Sequence, residues 1–295
     1  MIRKIVAAFI SFLMMAIMII GVGFGFFKEV LATPSTYEKA LQQIEAGSKV
    51  QIEVENALID LMLVNNMPTD WVRDLVPTEL VASLMQRNIY SVSEALLQQE
   101  VVSDTDEIED VIAVFETRVR EFLTAENKYL DSDDLANLEL VKAEIKNILM
   151  NETMVLNPNL LAASSKVSKV SSLLQFILNL PILPCLMTGL VCLILLQLGL
   201  FFRQLAQGFR YSGMGIMAGG LLWFILGVSA KLSGFYEQPM IKDGYLKDLI
   251  VYLGDLAFTQ FIQIGGIIFV IGMMLSIPYL IHSYHEFMLN DETQG

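Results

Sequence analysis

The chain has 295 residues, of which 54% are hydrophobic, and a formal net charge of −13. That apolar share, with a mean hydropathy of +0.55, exceeds what a single soluble domain of this length carries and points to a membrane protein. The net acidity argues against nucleic acid as a partner and against docking flat on anionic lipid.

The first element is the uncharged run Ile5 to Phe27, long enough to span a bilayer core of about 30 Å. Arg3 and Lys4 precede it, so the positive-inside rule places the N-terminus in the cytoplasm. Val30-Leu31-Ala32 has small residues where a signal peptidase would cut. The apolar run, however, exceeds a normal signal core of about 7–15 residues, and Lys28 and Glu29 intrude before that point. Residues 1–27 therefore read as a signal anchor.

Residues 28–172 follow, with 12 Lys and Arg against 25 Asp and Glu, so this block holds the whole net charge of −13. Its punctuation divides it into amphipathic helices. Ser35 and Glu38 form a capping-box pattern, and Gly47 is placed to end the first helix. VQIEV, at residues 50–54, alternates like a strand, but Val50, Val54, Ala57, Leu58, Leu61 and Met62 fit a helical stripe better. NNMP breaks the chain. A third helix carries Leu80, Leu84, Met85, Val92 and Leu96 on one side. A fourth, after SDTDE, carries Ile108, Val111, Ile112, Phe115, Val119, Phe122 and Leu123. A fifth, after DSDD, carries Leu138, Val141, Ile145, Ile148 and Leu149. Helices with one apolar face each predict a bundle.

Residues 173–295 hold three more runs free of charge: within Leu173 to Phe202, Gly213 to Ala230, and Phe261 to Ile281. In NLPILPC, Pro181 and Pro184 are expected to break the second span near its outer end. FRQLAQGFRY, residues 202–211, then faces the cytoplasm, in keeping with Arg203 and Arg210. The C-terminal tail from His282 lies on the same side. Gly21 and Gly25, and Gly215 and Gly219, have the spacing that lets helices approach closely in lipid. Leu246 to Ala257 forms an amphipathic helix before the fourth span, either lying at the outer interface or packing under the block, and Asp248 and Asp255 favour packing.

The expected fold is thus an all-α membrane protein: four transmembrane helices, with a helical-bundle extracytoplasmic domain inserted between the first and second. About 28 residues face the cytoplasm.

Candidate chemistry is sparse. Cys185 and Cys192 share a helix face about 10.5 Å apart, too far for a disulfide with each other. His282, His285 and Glu286 sketch a metal site that lacks further ligands in the other cytoplasmic segments. Residues 28–172 contain no His and no Cys, which removes His-based nucleophilic catalysis and the usual zinc sites there. The clusters Asp104, Asp106, Glu107, Glu109, Asp110 and Asp131, Asp133, Asp134 sit where a helix dipole favours acids. Glu109 occupies the place where a calcium-binding EF-hand needs Gly. The uncharged spans, with Gln175, Asn179, Gln197, Ser229 and Gln263 as their polar residues, argue against an ion-coupled carrier. No catalytic, cofactor or metal residue is assigned.

Tyr37, Leu41, the step Pro68-Thr69-Asp70-Trp71 and Leu96 carry a layout-level resemblance to uncharacterised bacterial four-span membrane proteins with a large helical extracytoplasmic loop. The resemblance implies a bacterial cell membrane and no particular chemistry. In topology alone, the chain is similar to the permease-like subunit of the bacterial cell-division ABC complex. It departs from that family in offering few cytoplasmic residues to an ATPase. The expected function is non-enzymatic: the extracytoplasmic domain binds an envelope partner or senses the exterior. The partners implied are the lipid bilayer and an envelope or membrane protein, or a second copy of the chain. The alternative is an accessory subunit of a transport complex driven by a partner ATPase.

Overall fold

The computed structural model describes residues 2–96, 106–127, 132–155, 178–179, 181–241 and 244–292. Among these residues there is no strand, and the chain divides into two compact units.

The apolar unit comprises Met1–Thr33, Ile177–Met240 and Ile250–Gly295. Its helices are α1 (Ile2–Phe26), which runs on into a π turn at Phe27–Leu31, then α7 (Ile182–Leu200), α8 (Leu205–Ser233) and most of α9 (Gly244–Glu292). All four are long and apolar enough to cross a membrane. They pack around Ile10, Met14 and Val22 of α1, Leu190 of α7, Ile216 of α8 and Ile268 of α9. Neighbour pairs fix their directions. Gly21 and Gly25 of α1 lie beside Leu186 and Leu183 of α7, so these helices are antiparallel. Gly215 and Gly219 of α8 lie beside Ser11 and Met18 of α1, so these are parallel. Gly213 and Gly220 lie beside Gly272 and Gly265 of α9, antiparallel again. The first turn of α1 and the end of α9 therefore share one end of the bundle.

Three expectations for this unit meet its helix boundaries. The break in the second span falls at Pro181, the N-cap residue of α7, whereas Pro184 sits inside the first helical turn. Pro is tolerated there because its missing N–H would have had no intrahelical partner. The resulting 19 residues span about 28 Å, close to the thickness of a hydrocarbon core. Residues 173–177 and 180 lie outside the described residues. FRQLAQGFRY is not a loop over its whole length, because α8 begins at Leu205. Its Gly208 is a contact point: a Cβ there would lie 3.2 Å from the Gln197 carbonyl of α7. Finally, the amphipathic stretch at 246–257 and the fourth span form one continuous helix of 49 residues, about 74 Å long, with Pro278 inside it. The stretch leads into the span without a break.

The charged unit comprises Pro34–Phe176 and Ile241–Leu249. Its helices are α2 (Pro34–Gln43), α3 (Ala46–Val64), α4 (Thr78–Leu96), α5 (Asp106–Ala125) and α6 (Ser132–Glu152), with a 3-10 turn at Thr69–Trp71. Pro34 takes the first helical position of α2, where its fixed φ suits the helix and no N–H is needed. Ser35 is thus inside the helix and not its cap. VQIEV is helical. Val50, Val54, Leu58 and Met62, one turn apart on α3, are fully buried and form the spine of the core. Gly47 does not end α2 but lies within α3, where a Cβ would stand 3.0 Å from the Cβ of Ala82 on α4. The turn residue is Glu45, held at φ 52°, a left-handed conformation that costs a non-glycine residue about 1–2 kcal/mol. On α4 the buried face centres on Val81, Met85, Ile89 and Val92, one position on from Leu80. Val111, Phe115 and Val119 of α5 and Val141, Ile145 and Leu149 of α6 complete the core. The first residues of α9 belong to this unit, with Tyr245 and Leu249 buried and Asp248 2.5 Å from Lys49 Nζ.

Candidate functional site

Polar groups inside the apolar unit gather where α1, α7 and α8 meet. Ser11 Oγ donates to the Ala7 carbonyl or to the Tyr211 carbonyl, at 3.0 and 2.7 Å. Gln197 Nε2 donates to the Ala7 carbonyl at 3.0 Å and reaches Ser11 Oγ at 3.3 Å. Gln197 and Ser212 are wholly buried, and neither Gln197 Oε1 nor Ser212 Oγ has a partner among the described residues. Helix periodicity puts Ser212 between Gly208, which faces α7, and Gly215, which faces Ser11. The cluster ties three helices together through groups for which lipid offers no substitute. It contains no ionisable side chain, so it can orient helices but cannot by itself relay a proton.

The glycines differ in what they do. A Cβ on Gly215 would stand 2.6 Å from the Ser11 carbonyl, and one on Gly219 2.8 Å from Met18 Cβ, so α8 meets α1 at a distance only glycine allows. Gly21 and Gly25 face α7 more loosely, with Leu186 at 3.6 Å and Leu183 at 3.9 Å. The tightest approach was not singled out from the sequence. It joins α8 to α9, where a Cβ on Gly220 would lie 2.5 Å from Phe269 N and one on Gly265 2.6 Å from Phe224 N. A seven-residue glycine period on both helices, at 213, 220 and 227 and at 265 and 272, was the available signal.

The looser α1–α7 packing leaves an apolar cleft of about 510 Å³, bounded by α1, α7, α8 and α9. Ile17, Leu190, Ile216 and Ile268 form part of its wall, and Glu29 is the charged residue that lines it. Near the same end, Phe26 and Trp223 both pack against Phe261, with ring centres 4.6 and 4.5 Å away. Lys231 Nζ lies 2.7 Å from Asp255, whose carboxylate also accepts from the Tyr236 hydroxyl at 3.2 Å. Burial first, and the Asp255 carboxylate second, raise the Tyr236 phenol above its ordinary pKa.

At the opposite end, Arg3, Lys4 and Arg203 are exposed. The Arg210 guanidinium donates to Tyr279 Oη at 2.9 Å and stands 4.5 Å from the centre of that ring. His282 and His285 are also exposed, and the side chain of Glu286 lies outside the described residues.

In the charged unit three acids of α5 form ion pairs with neighbouring helices. Glu107 of α5 accepts from Ser83 at 2.5 Å and from Arg87 at 3.0 Å, both on α4. Glu109 pairs with Lys146 of α6 at 2.5 Å. Glu116 pairs with Lys142 at 2.5 Å, and that hydrogen bond is the main reason the carboxyl is held below its ordinary pKa and the ammonium above its own. Asp104, Asp131 and the side chain of Asp133 lie outside the described residues. No group of three or more His, Cys, Asp or Glu able to hold a metal occurs among the described residues. Arg118, which drew no attention in the sequence, donates to the carbonyls of Trp71, Arg73 and Asp74 at 3.2, 2.6 and 3.4 Å. It pins the turn whose Trp71 packs against Phe115 and Phe122. Glu38, Glu45 and Thr78 are among the residues lining a smaller hollow of about 330 Å³ in this unit.

Comparison with protein-family models, curated proteins and solved structures finds no match to this chain.

Proposed function

We propose that the chain is a non-enzymatic integral membrane protein that presents its acidic helical unit outside the cytoplasm to bind an envelope partner or sense the exterior. The observation that supports this reading most is the placement of charge. The whole excess of 13 acids lies in residues 28–172, a stretch inserted between the first and second apolar runs. Arg3, Lys4, Arg203 and Arg210 flank the other ends of those runs, which by the positive-inside rule face the cytoplasm together with both termini. A bacterial cell membrane is the setting this reading assigns. With about 28 residues inside, any response reaches the cytoplasm through helix packing or a membrane partner. The Ser11–Gln197 node and the α8–α9 glycine contact supply connections through which packing could respond. In-cell crosslinking with a photoreactive group on α3 or α5, followed by recovery of the full chain from membranes, tests this. One reproducible envelope protein or a second copy of the chain is expected, and failure to recover either from native membranes would overturn the reading.

The rival is an accessory subunit of a transport complex that meets a partner ATPase through Arg203 and Arg210. The engagement of Arg210 with Tyr279 weighs against it, since that guanidinium already has a role inside the fold. Reversing both charges would abolish complex formation with the spans still correctly oriented under the rival reading, whereas under ours the pair serves topology and reporter fusions would show inverted spans.

A further inference from the structure

We infer that the cleft bounded by α1, α7, α8 and α9 is a binding site for one acyl chain of a phospholipid whose head carries a primary ammonium group, with Glu29 as its head-group acceptor. The inference needs only that the four apolar helices lie in a bilayer, and it does not depend on the envelope partner proposed above.

Four observations carry it. The first is chemistry: Ile17, Leu190, Ile216 and Ile268 give the wall no hydrogen-bonding capacity. A dry apolar space of about 510 Å³ inside a bilayer fills with hydrocarbon rather than water, which needs polar partners. The second is length. Along α1 and its π turn the lining runs from Ile17 to Glu29, which is about 18 Å of helix, close to the ~15 Å depth of one leaflet. One lipid tail entering from one surface matches that length. The third is polarity along the cleft. Glu29 and Gln260 line the end marked by the Phe26–Phe261 contact, and Ile271 lies on the wall toward the other. The lining thus has a polar head end and an apolar foot, as a lipid does.

The fourth observation is charge. Lys28, next to Glu29 in the chain, is not part of the lining. Lys231 and Asp255, toward the same end, form a pair at 2.7 Å. The carboxylate of Glu29 therefore sets the sign of the mouth. It attracts an ammonium that can donate hydrogen bonds and repels the extra negative charge of an anionic head group. Glu29 also belongs to the π turn at Phe27–Leu31, a local widening often found where helices carry function.

The test uses the full chain in nanodiscs of equal phosphatidylethanolamine and phosphatidylglycerol, with lipid retained after transfer to detergent counted by native mass spectrometry. The wild type is expected to keep one lipid per chain and to prefer phosphatidylethanolamine about tenfold, the size of one charge-assisted hydrogen bond. Glu29→Gln should reduce that preference to about twofold or less, and Glu29→Lys should reverse it. Gly25→Phe should expel the lipid. A Cβ at Gly25 meets nothing nearer than Leu183 Cδ2 at 3.9 Å, so the added ring grows into the cleft. Glu29 is exposed, so its variants keep the test decisive even if Gly25→Phe fails to fold. Retention of no lipid, equal retention of the two lipids by the wild type, or a preference that ignores Glu29 would each overturn the inference. So would a folded Gly25→Phe variant that still holds its lipid.

Discussion

The two units are built from the same element, the α-helix, but are held together by opposite kinds of residue. In the charged unit the contacts are made by large side chains: Leu58, Met62, Met85, Phe115, Ile145 and Leu149 are among its fully buried members. In the apolar unit the closest contacts are made where side chains are missing, at Gly213, Gly215, Gly220, Gly265 and Gly272. The solvent explains the difference. Water drives large apolar groups together, at about 25 cal/mol per Å² buried. Lipid tails are as apolar as leucine, so helices among them gain from backbone proximity, dispersion and hydrogen bonds instead. The two units should therefore respond in opposite ways to the same change in side-chain size.

Removing bulk should hurt the charged unit most. Phe115→Ala is expected to destabilise it by about 3–5 kcal/mol, because a wholly buried ring also supports Trp71. Chemical denaturation followed by Trp71 fluorescence, in a Trp223→Phe background, would measure this. A loss below about 1 kcal/mol would show that the core is not the packed one described.

Adding bulk should hurt the apolar unit. Gly265→Ala places a methyl 2.6 Å from Phe224 N and is expected to cost about 1–3 kcal/mol, read as a lower melting temperature in detergent. Gly199→Ala is the control. No atom lies within 4 Å of the added Cβ, so the change should be neutral or stabilise by about 0.5–1 kcal/mol. Equal effects at the two sites would remove the basis for the contrast.

Hydrogen bonds sharpen the comparison. Gln197→Leu removes the donor shared by the Ala7 carbonyl and Ser11, and is expected to cost about 0.6–2 kcal/mol in the same melting assay. Ion pairs in the charged unit should matter least. Glu116→Gln is expected to cost about 0.2–1 kcal/mol at neutral pH, because the Glu116–Lys142 pair is partly open to solvent. Its pH dependence has a defined sign. The folded carboxyl titrates below its ordinary value, so its contribution is present above the unfolded pKa near 4.5 and is lost as pH falls through the folded value. Lys142 behaves in the opposite sense: its contribution is present below 10.5 and is lost as pH rises through its raised folded pKa. Unfolding curves of wild type and Glu116→Gln should therefore converge in acid. Curves that stay separate well below pH 4 would contradict the assignment.

Much of this architecture was legible in the sequence, for a reason visible in particular residues. Val50, Val54, Leu58 and Met62 recur at helical spacing, and periodicity reports burial directly when one face is wet. The apolar runs were equally plain. Inside lipid, however, periodicity says little, because the outward face is as apolar as the inward one. Helix directions and contacts there depend on where two glycines meet across space, as Gly220 and Gly265 do, and no local pattern in one helix records its partner. Helix boundaries failed for similar reasons. Gly47, expected to end a helix, serves a close approach to Ala82, and Gly208, within the expected loop, a close approach to Gln197. The cleft was invisible because a cavity is a property of four helices at once. Glu29, which lines it, looked only like a charge at the end of a span.

The central claim is that the charged unit lies across the membrane from the short loop after α7. The most direct measurement is cysteine labelling in whole cells, with Cys185 and Cys192 replaced by serine and one cysteine introduced at Glu121 on α5 or at Gln204 before α8. Both positions are exposed. A membrane-impermeant maleimide is expected to label Glu121→Cys in intact cells and Gln204→Cys only after permeabilisation. Labelling of Gln204→Cys in intact cells, with Glu121→Cys protected, would contradict the account.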